Sequence, residues 1–415
     1  MLKPFRRRHD NHRIPQNLIP ASVGGGYTGA HEVREQVAGD TIDQWLVWSS
    51  LSLLFIGLIM VYSATVALPD SSKYASYSQT HFLYRHAFSM AMGGVVALAL
   101  FQVPVKMWQQ TAPILFTVGI AMLALVLVPG IGREVNGARR WLPLVLINVQ
   151  PSEFMKVFAV LYAADYAVRK QAFMQRFGKI ILPMLVAMFL VGTLLLLEPD
   201  MGAFIVIVAI VFGILFLGGI NAKVFFSLSG GLCMAFAAMI LFSDYRRARF
   251  LAYLDPWSGD NALNKAYQLS HSLIAFGRGE LFGVGLGGSL EKLHYLPEAH
   301  TDFLLAVIGE ELGFVGVAVV ILLFVVLVQR CFLIGQQAMV LERIFAGLVA
   351  KGVGVWIAVQ SFVNMGVNVG LLPTKGLTLP LMSYGGSGIL ANCIALALVL
   401  RVGYENRVLM RGGGV

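Results

Sequence analysis

The sequence predicts an all-α integral membrane protein of about ten transmembrane helices, with a large extracytoplasmic loop between the seventh and the eighth. Three observations lead there. Of 415 residues, 57% are hydrophobic and 13% charged, and mean hydropathy is +0.74, more apolar surface than a water-soluble core of this length could hide. Apolar stretches of roughly 20 residues, the length that crosses about 30 Å of hydrocarbon, recur along the chain. One connection, 244–301, greatly exceeds ordinary loop lengths.

The apolar stretches fall at 45–67, 86–103, 111–129, 150–168, 181–198, 200–218, 223–243, 302–329, 345–371 and 379–401. Residues 1–44 are polar, carry Arg6, Arg7 and Arg8, and lack the apolar core of a signal peptide, so a disordered cytoplasmic tail is expected. An even number of spans returns the short 406–415 tail to the same side, with 45–405 as the membrane domain between them. The basic loop led by Arg169 and Lys170 agrees with the positive-inside rule, whereas Arg133, Arg139 and Arg140 fall outside against it. The net charge of +9 reads as topology and contact with anionic headgroups, not as a nucleic-acid footprint. Cys233, Cys331 and Cys393 show neither disulfide nor metal-ligand spacing.

Before the fourth stretch, Arg139 and Arg140 beside Trp141 fit either phosphate recognition or an interfacial belt, and the helix start at Gln150, Pro151, Ser152 and Glu153 is structural. In the long loop, YQLSHSLIAFG suits an interfacial amphipathic helix. The six glycines of 277–288 lack a preceding strand and a Walker lysine, so they read as backbone able to approach a headgroup closely.

In YLPEAHTDF, Glu298, His300 and Asp302 crowd a proline-containing elbow. Asp302 there is either a helix cap or a general base with a pKa raised by desolvation. Glu310 and Glu311 lie about 12 Å deeper on the same helix. Acids at that depth need partners, and Lys156 and Lys351 are the candidates. Gln360, Asn364 and Asn368, spaced i, i+4 and i+8, form one polar stripe that serves helix packing or a substrate surface. In LPTKGLTLPLMSYGGSG, Pro373, Gly376 and Pro380 forbid a continuous helix. Lys375 sits there among Ser383, Tyr384 and Ser387, either as a phosphate site or as an interfacial lysine.

YLPEAHTDF with GEELG, LPTKGLTLPLMSYGGSG, QPSE and EPDMG resembles the SEDS family (shape, elongation, division, sporulation) over about 45–407, and the lysine of PTKG resembles its division branch. The resemblance implies a ten-span peptidoglycan glycosyltransferase of the bacterial inner membrane, acting at the division septum. Lipid II would be its substrate. A class B penicillin-binding protein transpeptidase and other divisome membrane proteins would be its partners. Asp302 matches the catalytic aspartate of the family; Lys375, Arg140 and Lys156 match basic positions of the same cavity. EPDMG departs from the usual QPDLG at Glu198 and Met201, and NKAYQ lacks the glycine commonly found before YQ.

The expected site is therefore Asp302 as catalytic base and Lys375, Arg140, Arg139, Ser383 and Ser387 toward the diphosphate. Glu298, His300, Lys156, Glu310, Glu311, Gln360 and Asn364 would support them. No metal-ligand cluster shows in the sequence, although a divalent cation, magnesium or manganese, could share the charge neutralisation. A lipid II flippase using the intramembrane charges, and a non-catalytic scaffold for the crosslinking transpeptidase, are the alternatives.

Overall fold

A computed structural model describes residues 42–71, 74–135, 137–143, 148–171, 177–259, 261, 264, 266–373 and 376–414. Residues 1–41 of the tail expected at 1–44, and Lys375, lie outside them. Among the described residues, ten long helices overlap the ten apolar stretches. They are α1 Gln44–Thr65, α2 His81–Phe101, α3 Val105–Leu127, α4 Pro151–Arg169, α5 Phe177–Leu197, α6 Met201–Leu217, α7 Ala222–Leu241, α10 Leu304–Val340, α11 Ile344–Asn368 and α12 Gly386–Met410. Among the described residues, α1, α2, α3, α10, α11 and α12 are long and apolar enough to cross a membrane, and α5 and α6 carry shorter apolar runs.

The long loop is not structureless. It holds α8 Asp244–Leu254 and α9 Tyr267–Gly279. The helix expected at YQLSHSLIAFG forms, but it lies against the bundle with Leu269, Ser272 and Ala275 buried. Ser272 donates to the Asn368 carbonyl at 2.7 Å.

The all-α expectation misses a small antiparallel sheet, β1 Arg133–Val135, β2 Ala138–Pro143 and β3 Asn148–Val149, between α3 and α4. Its strands have two to six residues and no long alternating pattern, so periodicity could not reveal them. The stretch expected to start at 379 becomes helical only at Gly386, because the Ser383 hydroxyl takes the Leu379 amide at 2.8 Å and Leu381 adopts φ 64°.

The core lies around α11 and α12, of whose apolar windows 78% and 72% are buried, against 17% for α2 and 28% for α3. Trp356 on α11 and Met155 and Leu161 on α4 are fully enclosed. At one end of the bundle, Asp43 before α1 pairs with Arg330 and Arg407. Arg343 and Arg401 meet there on Glu405. Cys331 and Cys393 are buried and free.

The helix α10 breaks at Gly313, where φ is 66° and ψ −165°. The glycine-rich segment of the loop runs alongside and replaces the lost helical bonds. Val284 and Gly285 amides donate to the Glu310 and Glu311 carbonyls at 3.0 and 3.1 Å, and Phe314 and Val315 amides donate to the Glu280 and Leu281 carbonyls at 2.9 and 3.1 Å. A β-carbon on Gly283 would lie 2.1 Å from the Glu311 carbonyl oxygen. Gly279 and Gly283 therefore allow close approach to α10 of the same chain, whereas Gly277, Gly285 and Gly287 face open space.

Candidate active site

The elbow before α10 is built by a tight turn. Glu298 takes φ 57°, its carbonyl accepts the Thr301 and Phe303 amides at 3.1 and 3.2 Å, and its carboxylate accepts the Thr301 hydroxyl at 2.8 Å. The cap reading of Asp302 fails on geometry, since the N-cap position is Phe303 and no side-chain cap bond forms. Asp302 is instead fixed through its backbone: Asn364 and Asn368 of α11 donate to its carbonyl at 2.8 and 2.9 Å.

The broken segment between α11 and α12 closes over the same elbow. Ser383 donates to the Thr301 carbonyl at 2.6 Å, and the Tyr384 amide donates to the His300 carbonyl at 3.0 Å. Tyr384 and Phe82 pack on the His300 ring, with centroids 5.6 and 5.7 Å away. Asn364 also donates to the Leu377 carbonyl and Gln360 to that of Thr378. Gly376 lies against the catalytic candidate, since a β-carbon there would meet Asp302 Oδ2 at 3.0 Å. The polar stripe thus clamps two loops, one at its Asp302 end and the other at 377–378.

The Asp302 carboxyl is half-buried. Its pKa is pushed up to about 7, first by desolvation and then by Glu298 and Asp200, with the Arg140 guanidinium pulling the other way. Arg140 on β2 donates to the carbonyls of Glu198 and Pro199, in the turn between α5 and α6. In that turn Asp200 caps α6 through the Ala203 amide at 3.1 Å and accepts Ser152 of α4 and Gln150, which precedes it, at 2.8 and 3.2 Å. Gln150, Ser152 and Asp200 were not among the expected site residues, although an aspartate directly before an apolar helix is a readable cap signal.

Other expected residues fall elsewhere. Arg139 points along the exposed hairpin to Glu134 at 3.2 Å. Ser387 bridges the Asn148 carbonyl and the Gln150 amide, both at 3.0 Å, and so joins α12 to α4. Lys156, fully buried, bonds Glu153 and Gln360 at 2.8 and 2.9 Å and lies 5.2 Å from the Trp356 ring centre.

The expected pairing of Glu310 and Glu311 with Lys156 or Lys351 is overturned. Glu310 takes Arg278 at 2.5 Å, the Ser289 hydroxyl and the Leu290 and Glu291 amides. Glu311 takes Lys292 at 2.7 Å and Ser63 of α1. Lys351 bonds Gln336. The physical reason is the docked segment before α10, which brings Arg278 and Lys292 to these carboxylates, with Ser63 of α1 assisting at Glu311. Among the described residues no group of three or more His, Cys, Asp or Glu is arranged to hold a metal ion.

Fold and site together define a multi-pass helical membrane protein with an acid, a guanidinium and a broken helix pair gathered at one end of its bundle. The chain belongs to the family described as "Cell cycle protein" (FTSW_RODA_SPOVE), whose model matches residues 44–408. It is 61% identical over 387 residues to the "Probable peptidoglycan glycosyltransferase FtsW" of Burkholderia thailandensis, covering 93% of this chain and 83% of the relative. The solved structure "Structural coordination of polymerization and crosslinking by a peptidoglycan synthase complex" contains a chain similar to this one. Its TM-score is 0.71 and identity 28%, over 88% of this chain and 98% of that one. The Rod shape determining protein RodA of Thermus thermophilus matches with TM-score 0.63 at 28% identity, over 88% and 97%.

Proposed function

We propose that this protein is a peptidoglycan glycosyltransferase that polymerises lipid II into glycan strands during septal wall synthesis, with a class B penicillin-binding protein crosslinking its product. The ten helices would all span the inner membrane, both termini would be cytoplasmic, and the 244–301 loop would face outward with the site.

The observation that carries the reading is Asp302: a carboxyl held at a backbone-clamped elbow, with proton affinity raised to about 7 and a guanidinium within electrostatic reach. In the reaction, Asp302 takes the proton of the acceptor sugar 4-hydroxyl. The oxygen forms a bond to the anomeric carbon of the donor, and the carbon–oxygen bond to undecaprenyl diphosphate breaks, the diphosphate leaving with the electron pair. The leaving group needs charge neutralisation more than a proton, so one carboxylate suffices. Arg140 serves that neutralisation, and Lys375 is assigned to it from the sequence. Ser383 and Ser387 hold loop backbones instead of phosphate oxygens.

A translocation path would need free intramembrane charge. Here Glu310, Glu311 and Lys156 are each saturated by protein partners, which favours surface chemistry over lipid flipping.

The test is strand formation from labelled lipid II by purified protein, with and without the transpeptidase, in wild type and Asp302→Asn. The base acts as the carboxylate, so the wild-type rate should rise as pH climbs through about 7. Asn should abolish it while leaving the protein folded. Strand synthesis by Asp302→Asn at a substantial rate would sink the assignment.

A further inference from the structure

One carboxyl near the site has no role in the mechanism above. Glu198 follows the last residue of α5, is fully buried, and neither of its carboxyl oxygens has a hydrogen-bond partner. This is unusual, because buried polar atoms are nearly always bonded. Its surroundings make the omission informative. The nearby cation, Arg140, donates to the main-chain carbonyls of Glu198 and Pro199 and forms no bond to the Glu198 carboxyl. Asp200, two residues on, is occupied by Ala203, Ser152 and Gln150. Arg139, the neighbour of Arg140 in β2, is engaged with Glu134. The same guanidinium and the same Asp200 act electrostatically on both Glu198 and Asp302.

We propose that Glu198 is a positioning residue for the transfer step: as a neutral carboxyl it leaves the Arg140 guanidinium available to Asp302 and the departing diphosphate. On losing its proton it competes with both for that guanidinium. The inference rests on the assignment of Asp302 as base and Arg140 as neutralising cation.

An ionised carboxylate with two bare oxygens in a buried turn would be heavily penalised, whereas the acid form is tolerated. Burial first, and Asp200 second, push the Glu198 pKa up to about 8, with Arg140 opposing. Among the described residues, the charged groups acting on it are Arg140 from β2 and Asp200 from its own turn, with Asp302 of the elbow coupled through Arg140. At neutral pH the acid is mostly protonated and Arg140 stays on the turn carbonyls. Above about 8 the new charge draws the guanidinium toward the Glu198 carboxyl.

The experiment is the pH dependence of the initial rate at saturating lipid II for wild type, Glu198→Gln and Asp302→Asn, with infrared titration of the carboxyl band of wild type and Glu198→Gln. Gln mimics the protonated acid in shape and charge, so the variant is expected to fold. Wild type should give a bell. Its alkaline limb, centred near 8, should leave about one-tenth of the plateau rate one unit above that midpoint. Glu198→Gln should keep the acid limb and lose the alkaline one, a difference of about tenfold at that pH. A protonated-carboxyl band present at pH 7 in wild type, titrating away near 8 and missing from Glu198→Gln, supports the proposal independently of turnover. Superimposable rate profiles, or no such band, overturn it. Normal strand synthesis by Asp302→Asn would instead remove the base assignment and overturn the proposal with it, whatever the infrared titration reads for Glu198.

Discussion

Replacing Lys292 by Met tests how the long loop is anchored. The Lys292 side chain is 3% exposed and that of Glu311 is not exposed at all, with 2.7 Å between them. Without the ammonium, Glu311 keeps only the Ser63 hydroxyl and a long bond from the Ser289 amide at 3.4 Å. Removing one partner of a buried pair leaves an uncompensated charge and costs about 3–5 kcal/mol. Arg278→Met should cost far less. Arg278 is 36% exposed, and Glu310 retains a hydroxyl and two amide donors. Replacing both members of the buried pair, Lys292→Met with Glu311→Leu, should recover most of the loss, because no bare charge remains. The assay is apparent melting of the purified protein in detergent, run as a double-mutant cycle with Arg278→Met alongside. If Lys292→Met melts no lower than Arg278→Met, or if the double variant is no better than the single, the pair is not the buried anchor argued here.

Two further substitutions probe the elbow. Asn368→Ala removes one of two amides that hold the Asp302 carbonyl and leaves the Ala306 amide with the Phe303 carbonyl as its acceptor. Loss of a buried bond of this kind costs about 1–3 kcal/mol, so strand synthesis should fall by roughly tenfold or more with lipid II affinity little changed; unchanged turnover would show that the clamp is dispensable. Gly376→Ala places a β-carbon about 3.0 Å from Asp302 Oδ2. It should lower the rate without lowering the melting temperature, and a variant with both intact would show that the carboxyl has room to move.

Much of this architecture is readable from composition and motif. Among the described residues ten long helices overlap the ten apolar stretches, six of them long and apolar enough to cross a membrane, and the crowded acids before α10 mark the elbow where Asp302 is found. The sequence is mute where long-range pairing decides. Nothing local says that Glu310 and Glu311 will be met by Arg278 and Lys292 from a loop about 20 to 30 residues earlier, while a lysine within another helix is the obvious guess. Likewise Ser383 and Ser387 stand in a motif that suggests phosphate, and the structure commits both hydroxyls to backbone groups across the bundle. The stripe of Gln360, Asn364 and Asn368 was visible as a pattern, but what it grips was not, since its targets are main-chain carbonyls that carry no sequence signature.

The break at Gly313 bears on how the protein is made. Four backbone bonds that α10 lacks internally are supplied by residues 280–285, which precede it in the chain. Hydrocarbon cannot satisfy those amides and carbonyls. During synthesis, therefore, α10 is incomplete as an independent rod: its break is satisfied only once the glycine-rich segment lies beside it. Because that segment emerges from the ribosome first and lies close in sequence, the order of translation matches the order that assembly requires. A delay in its docking would leave those backbone groups bare before the elbow at Asp302 had formed.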